Sequence, residues 1–213
     1  MKMTASGIVR VFVFAALFVP LALPLYAQQE AEEKARAEAS VALLEGRMNR
    51  ASIGAERFHL LSYLPSAALA AGNIEKAQQY AHQLLESADE RANAGGRDLG
   101  VRNRAVHIGN LVLGLVELDK GNVALAGDYL LMSVRFEGKI PGYLEMYGPN
   151  TLLAKKMIEK GKRDLVNEYF DLCANFWRKE DRPLEGWKTT VANGGMPNFG
   201  ANLRYMIDDW RLQ

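Results

Sequence analysis

The stretch NLVLGLVELDKGNVALAGDYL, residues 110–130, decides the fold. Its first nine residues are apolar on most sides, as in a helix that packs on both flanks. Gly121 then ends this helix, because glycine adopts the left-handed conformation of a helix C-cap without a Cβ penalty. Asn122 is placed to cap a second helix, whose apolar face has helical spacing (Leu125, Tyr129, Met132). The stretch therefore predicts two antiparallel helices joined by a tight turn.

The same frame occurs three times along the chain. Each copy has a turn glycine, a leucine eight residues before it, a small or β-branched apolar residue five residues after it, and a tyrosine eight residues after it. In chain order the copies are Leu64, Gly72, Ala77 and Tyr80; Leu113, Gly121, Ala126 and Tyr129; and Leu153, Gly161, Val166 and Tyr169. Such a repeat is typical of stacked helical hairpins. No strand-like alternation of comparable length occurs in the sequence, so the fold class is predicted to be all-α.

This frame resembles the tetratricopeptide repeat. The second copy carries that family's Leu-Gly pair, turn glycine, early alanine and aromatic residue, at Leu113-Gly114, Gly121, Ala126 and Tyr129. The resemblance implies antiparallel helical hairpins stacked as a short right-handed α-solenoid, an architecture that binds partners. The turn glycines are 49 and 40 residues apart (positions 72, 121 and 161), against 34 in the family. Pro65 also replaces a small residue of the pattern, which predicts a kink near Tyr63.

Residues 1–27 are predicted to be a signal peptide. Lys2 and Arg10 give a positive start, Val11 to Val19 is an unbroken apolar run, and cleavage is expected after Ala27. The protein is therefore predicted to be exported, either periplasmic or secreted, with no stable membrane span after cleavage. A retained N-terminal anchor is the alternative, although the apolar run is short for a bilayer span of roughly 20 residues.

The rest of the chain divides into three segments. Residues 28–57 are predicted to be a linker and an N-terminal capping helix, and residues 58–182 to be three tetratricopeptide-like hairpins. Residues 183–213 interleave turn residues with large apolar ones, which is typical of an ordered segment. They are predicted to form an irregular C-terminal tail that packs on the last repeat.

Charge and cysteine content exclude several classes of protein. The chain has 26 Lys and Arg against 25 Asp and Glu, and cleavage would remove two basic residues and leave 24 against 25. Nucleic acid is therefore not expected as a partner. Cys173 is the only cysteine, so the chain can form no internal disulfide, and the repeat frame places this residue in the core.

The sequence carries no recognisable catalytic or metal-binding motif. It has neither a Gly-x-Ser-x-Gly elbow nor a Ser-x-x-Lys pair. His59, His82 and His107 lack the close spacing of metal ligands, and the hairpin arrangement places the first and last of them at helix starts. We therefore expect no enzyme activity, no cofactor and no metal.

In the repeat family the first helix of each hairpin lines the concave, partner-binding face, and the resemblance carries this role to twelve residues. They are His59, Ser62, Ser66 and Leu69; Ile108, Leu111, Leu115 and Leu118; and Thr151, Lys155, Ile158 and Glu159. The central positions are aliphatic, and one interpretation is that a hydrophobic peptide or helix binds there. The alternative is that the chain's own N-terminal helix or tail covers these leucines.

These features together predict a non-catalytic adaptor module that binds a protein or peptide in the cell envelope. A second interpretation is a small-ligand-binding protein or enzyme whose site lies between the repeats and the C-terminal tail. A third is self-association into a homo-oligomer through an uncapped end of the array.

Overall fold

A computed structural model describes residues 19–52, 54–93, 99–136, 138, 140, 142–178 and 183–213. Over these residues the chain is helical and contains no strand, so the predicted all-α class is confirmed for them. The helices are α1 Val19–Arg50, α2 Gly54–Leu61, α3 Leu64–Ala70, α4 Ile74–Asn93, α5 Leu99–Asp119, α6 Val123–Met132, α7 Gly142–Tyr147, α8 Leu152–Glu159, α9 Arg163–Ala174 and α10 Leu184–Ala192. Two 3₁₀ helices follow, at Gly200–Leu203 and Asp209–Leu212.

Three pairings of helices carry the repeated frame: α2 and α3 with α4, α5 with α6, and α8 with α9. The same two backbone hydrogen bonds close the first helix at each turn. The N–H of the residue after the glycine donates to the carbonyl five residues earlier, at 2.8–2.9 Å, and the glycine N–H donates to the carbonyl three residues earlier, at 2.9–3.1 Å. Gly72, Gly121 and Gly161 have φ values of 72°, 85° and 75°, so the predicted left-handed turn glycines are confirmed.

Asn122 does not cap α6 as predicted. Its Nδ2 donates instead to Glu117 Oε2 at 2.6 Å, and no side-chain cap hydrogen bond forms at the start of α6. Glu117 also accepts from Lys120 Nζ at 2.9 Å, and these two donors, Asn122 foremost, lower the pKa of its carboxyl group. The turn is thus closed from the preceding helix, because the nearly buried Glu117 carboxylate needs the donors. At the first turn Asn73 does cap its helix, by accepting from the Lys76 N–H at 3.0 Å.

The kink predicted near Tyr63 is confirmed, because α2 and α3 are separate helices with only Ser62 and Tyr63 between them. Pro65 lies in the first turn of α3, where its missing N–H costs no hydrogen bond. Ser62 Oγ donates to the carbonyl of His59 at 2.7 Å and satisfies part of the end of α2.

Small residues let the second and third hairpins approach closely. A Cβ at Gly114 would lie 2.3 Å from Leu153 Cδ2 and 3.2 Å from Tyr129 Cβ. A Cβ at Gly127 would lie 2.8 Å from Leu165 Cδ2. The absence of a side chain at Gly114 therefore leaves the space that the Leu153 side chain of the next frame occupies. Helices α5 and α6 both contact α8.

The helix α1 begins before the predicted cleavage site and runs unbroken to Arg50. Residues 28–36, predicted as part of a linker, are helical, because alanine and glutamate are strong helix formers. Residues 25–36 are all exposed, and burial begins at Ala37 and continues at Val41 and Leu44. The buried residues of α1 thus lie in its second half, and the helix contacts α2, α3 and the last 3₁₀ helix.

Residues 1–18, which contain most of the predicted signal peptide, lie outside the described residues, and the signal peptide stays a prediction. Within the part of the chain that is described, no helix is long and apolar enough to cross a membrane. The predicted boundary at residue 182 also falls outside the described residues, which omit 179–182.

The C-terminal tail, residues 183–213, is not irregular throughout, since it contains α10 and both 3₁₀ helices. An aromatic cluster joins it to α9. The ring of Trp187 lies 5.8 Å from that of Phe170, 5.6 Å from that of Trp177 and 4.9 Å from that of Phe199, between centroids. Aromatic pairs at these separations stabilise a contact beyond their buried area.

Candidate functional site

Most of the predicted groove residues are buried inside the chain. His59 and Glu159 are exposed, and Leu69 and Lys155 are half-buried. The other eight are buried: Ser62, Ser66, Ile108, Leu111, Leu115, Leu118, Thr151 and Ile158. These eight residues offer a partner almost no surface in this conformation, so the first helices do not present an open aliphatic groove along their whole length.

The end of the tail packs against some of the helices to which the predicted groove was assigned. Its last 3₁₀ helix contacts α1 and α3, and Trp210 within it is 1% exposed. Asp209 Oδ2 accepts from Nη2 of Arg104 on α5 at 2.7 Å, and Arg211 pairs with Glu33 on α1. The tail therefore crosses from the third hairpin to α1 past the first half of α5. At these contacts the chain's own tail covers the helices, which is the alternative that the sequence left open for the groove.

Two asparagines that sequence reasoning did not single out fasten the tail to the loop before α8. Asn150 donates from Nδ2 to two tail carbonyls, at 2.7 and 3.2 Å. Asn202, in the tail, donates from Nδ2 to two loop carbonyls, both at 2.9 Å, and its own carbonyl accepts from the Thr151 N–H at 2.9 Å. Backbone carbonyls of the tail are thus hydrogen-bonded by Asn150 and Thr151, although the tail forms no strand.

His107 lies in the middle of α5 and is fully buried, not at a helix start as predicted. Its Nε2 accepts from the Asn150 N–H at 3.0 Å, and its Nδ1 donates to the Ser133 carbonyl at 2.9 Å, which assigns the proton to Nδ1. Burial, aided by the charge of Arg104, lowers the pKa of His107 to about 4. The neutral ring therefore joins α5, the end of α6 and the loop before α8.

A cleft of about 560 Å³ remains open where the first helices end. This turn-end cleft is lined by Leu69, Ile74, Leu115, Leu118, Asp119, Leu152, Lys156, Glu159 and Lys160. The lining comes from all three hairpins, through α3 and α4, α5 and α8. It includes four predicted groove residues, Leu69, Leu115, Leu118 and Glu159. The structure thus brings together one end of the predicted groove, where Leu69 and Glu159 keep accessible surface and Leu115 and Leu118 form a buried floor.

The floor of the turn-end cleft is aliphatic and its rim is charged. Lys156 and Lys160, which were not among the predicted groove residues, are exposed and lie one turn apart, on α8 and directly after it, and neither has an ion-pair partner among the described residues. Lys155, predicted for the groove, pairs with Glu159 and does not line the cleft. Adjacent helix residues point about 100° apart, which explains why Lys156 takes that place.

A second cavity, of about 590 Å³, lies between α7, the end of α9 and the tail. This aromatic pocket is lined by Met146, Tyr147, Trp177, Pro183, Ala201, Asn202, Arg204 and Tyr205. The rings of Tyr147 and Tyr205 meet edge to face with centroids 5.8 Å apart, and Trp177 Nε1 donates to the Met146 carbonyl at 3.3 Å. The Met146 and Tyr147 residues are each 56% exposed, so the pocket opens to solvent.

Cys173 is buried in the core position that the frame predicted. Burial raises the pKa of its thiol, and the protonated thiol is a poor nucleophile and a poor metal ligand. Among the described residues, no three His, Cys, Asp or Glu side chains lie close enough to hold a metal ion.

Comparison of the chain with protein-family models, with curated proteins and with solved structures found no match. The resemblance to the tetratricopeptide repeat therefore rests on the residues of the frame. The two cavities are defined by their lining residues and volumes alone.

Proposed function

We propose that this chain is an exported, non-catalytic interaction module that binds a protein or peptide in the cell envelope, and that its hairpins stack as a short right-handed α-solenoid of the tetratricopeptide type. Two observations support the stacking. The three turns share one hydrogen-bond geometry, and the side chain of Leu153 in the third frame packs against Gly114 in the second frame. Stacked hairpins of this kind create extended binding surfaces.

The observation that carries the proposal is the turn-end cleft, because its lining draws on all three hairpins. A single hairpin could not form it, so the cleft depends on the stack. The leucines of its floor suit apolar side chains of a peptide or helix. The rim carries Asp119 and Glu159 as well as Lys156 and Lys160, and an acidic group of a partner would pair with either lysine.

The exposure of α1 next to Ala27 is compatible with cleavage there. Leu25 and Tyr26 are 57% and 67% exposed, and from Leu25 onward the first buried residue of α1 is Ala37. Cleavage would therefore remove Leu25 and Tyr26 from an exposed part of the helix. Mass spectrometry of the protein from the native envelope should find an amino terminus at Gln28, and a full-length chain would contradict this part of the proposal.

Photo-crosslinking tests the cleft directly. The full chain, tagged and expressed in its native organism, would carry a photoreactive amino acid in place of the exposed Lys160. We expect one partner protein to be crosslinked reproducibly at this position. This crosslink should be lost in Lys156→Glu, which reverses the charge of one lysine on the rim. Leu115→Asp is unsuitable, because Leu115 is 6% exposed and a buried carboxylate would unfold the chain.

The matched control is Lys162→Glu. Lys162 is exposed at the same α8–α9 turn but does not line the cleft, so the charge change is identical and the place differs. Capture should survive this change. Equal capture by both variants, with unchanged melting temperatures, would refute binding at the cleft, as would the absence of any crosslinked protein.

A further inference from the structure

The aromatic pocket is independent of the turn-end cleft, since no described residue lines both. Its volume of about 590 Å³ falls within the range of small-molecule sites, roughly 300–1,000 Å³. Three aromatic rings, a thioether and a proline supply most of its surface. Aromatic rings and a thioether both make favourable contacts with another aromatic ring.

The charge of the pocket is positive. Arg204 is its only charged lining residue among those described, and its side chain is 77% exposed. Its one ion pair is long, with 3.9 Å between Nε and Asp208 Oδ2, and Asp208 also lies 3.4 Å from Nε of Arg211. The Asp208 carboxylate thus lies near two guanidinium groups. The guanidinium of Arg204 keeps N–H donors that can bind an anion.

The ring of Tyr205 meets that of Tyr147 in the wall of the pocket. Burial foremost, and then the neighbouring Tyr143, raise the pKa of the Tyr205 phenol to about 12, and Arg104 and Asp209 are the charged residues that act on it. Tyr205 therefore contributes its ring to the pocket, and Arg204 contributes the donors for an anion.

We propose that the aromatic pocket binds a flat aromatic molecule that carries a single anionic group, such as an aromatic carboxylate. The ring system packs among Tyr147, Trp177 and Tyr205, and the anion binds the guanidinium of Arg204. A cationic analogue is disfavoured, because Arg204 repels it and no acidic residue among the described lining receives it. This site does not depend on the partner proposed for the cleft.

Three naphthalene probes of equal ring size and different charge test the proposal on the full chain by isothermal titration calorimetry. We expect 2-naphthoate to bind best, 2-naphthylmethanol to bind roughly fivefold more weakly, and 2-naphthylmethylammonium to bind most weakly, because an exposed ion pair contributes about that factor. Arg204→Gln should bring 2-naphthoate to the affinity of the neutral probe. The control Arg135→Gln should change nothing, since Arg135 is also exposed and in a long ion pair of 3.6 Å, with Glu168.

Filling the cavity is the second arm of the experiment. Ala201→Trp places a large side chain in the pocket, and Ala192→Trp places one at an exposed position outside it. We expect the first variant to lose binding and the second to keep it. If Ala201→Trp melts at a lower temperature, Tyr147→Ala replaces it and should weaken all three probes. Equal affinity for the three probes, or binding that survives both pocket variants, would overturn the proposal.

Discussion

His107 should control how the stability of the fold responds to acid. Its ring is fully buried and neutral, and it accepts from the Asn150 N–H while it donates to the Ser133 carbonyl. Protonation would place a second N–H on Nε2, where it would face the Asn150 N–H and lose its hydrogen bond. The perturbation is therefore a fall in pH from neutral to mildly acidic.

The magnitude follows from the two protonation equilibria of His107. Its pKa is 6.5 ordinarily and about 4 in the folded state, because burial disfavours the charged ring. Between these values the unfolded state binds more protons than the folded state, so stability falls as pH falls through this range. At roughly 1.4 kcal/mol per pKa unit the full effect is about 3 kcal/mol. Roughly 2.5 kcal/mol of it is lost between about pH 7 and about pH 4.5.

Urea denaturation at several pH values measures this loss, with His107→Gln as the matched variant. Glutamine can also donate and accept but does not titrate, whereas every carboxylate of the chain stays the same in both proteins. We expect the variant to be less stable at about pH 7, and the gap to close by roughly 2.5 kcal/mol at about pH 4.5. Parallel stability curves for the two proteins would refute the reasoning.

Two further outcomes follow from the packing. Gly148→Ala should destabilise the fold by about 3 kcal/mol or more, since φ is 77° and a Cβ would lie 2.5–2.7 Å from the ring of Trp177. Gly121→Ala, with φ of 85° and open space, should cost only about 1–2 kcal/mol in the same urea titration, and equal losses would contradict this contrast. Asn150→Ala should cost about 1–3 kcal/mol and speed hydrogen exchange in the tail more than in α4, because two tail carbonyls lose their donor. Unchanged exchange in the tail would show that the asparagine does not hold it.

Local residue patterns predicted the hairpins because helix periodicity and turn glycines act over a few residues. Gly121 illustrates this, since its left-handed conformation and the hydrogen bonds around it need only the helix that it ends. The break before Pro65 is local in the same sense. The role of Asn122 was wrongly predicted because capping competes with a buried carboxylate, and the burial of Glu117 is a property of the packed chain.

The candidate site was only partly predictable. The repeat frame identified Leu69, Leu115 and Leu118, which line the turn-end cleft. The frame also included Lys155, which pairs with Glu159 and does not line the cleft, because a shift of one residue turns a side chain about 100° around a helix. Lys156 and Lys160 lie four residues apart, and this spacing places their side chains on the same side of a helix.

The sequence by itself determined the helical class of the described residues, the three turns and the core position of Cys173, since each depends on periodicity or on backbone conformation. Only the tertiary structure decided which part of the predicted groove stays open. The tail reaches α1 through contacts between residues far apart in the chain, such as Arg104 with Asp209 and Asn150 with the tail carbonyls. Long-range pairs of this kind leave no periodic trace in a single sequence. They form because buried charges and buried backbone groups must find partners wherever the fold brings them.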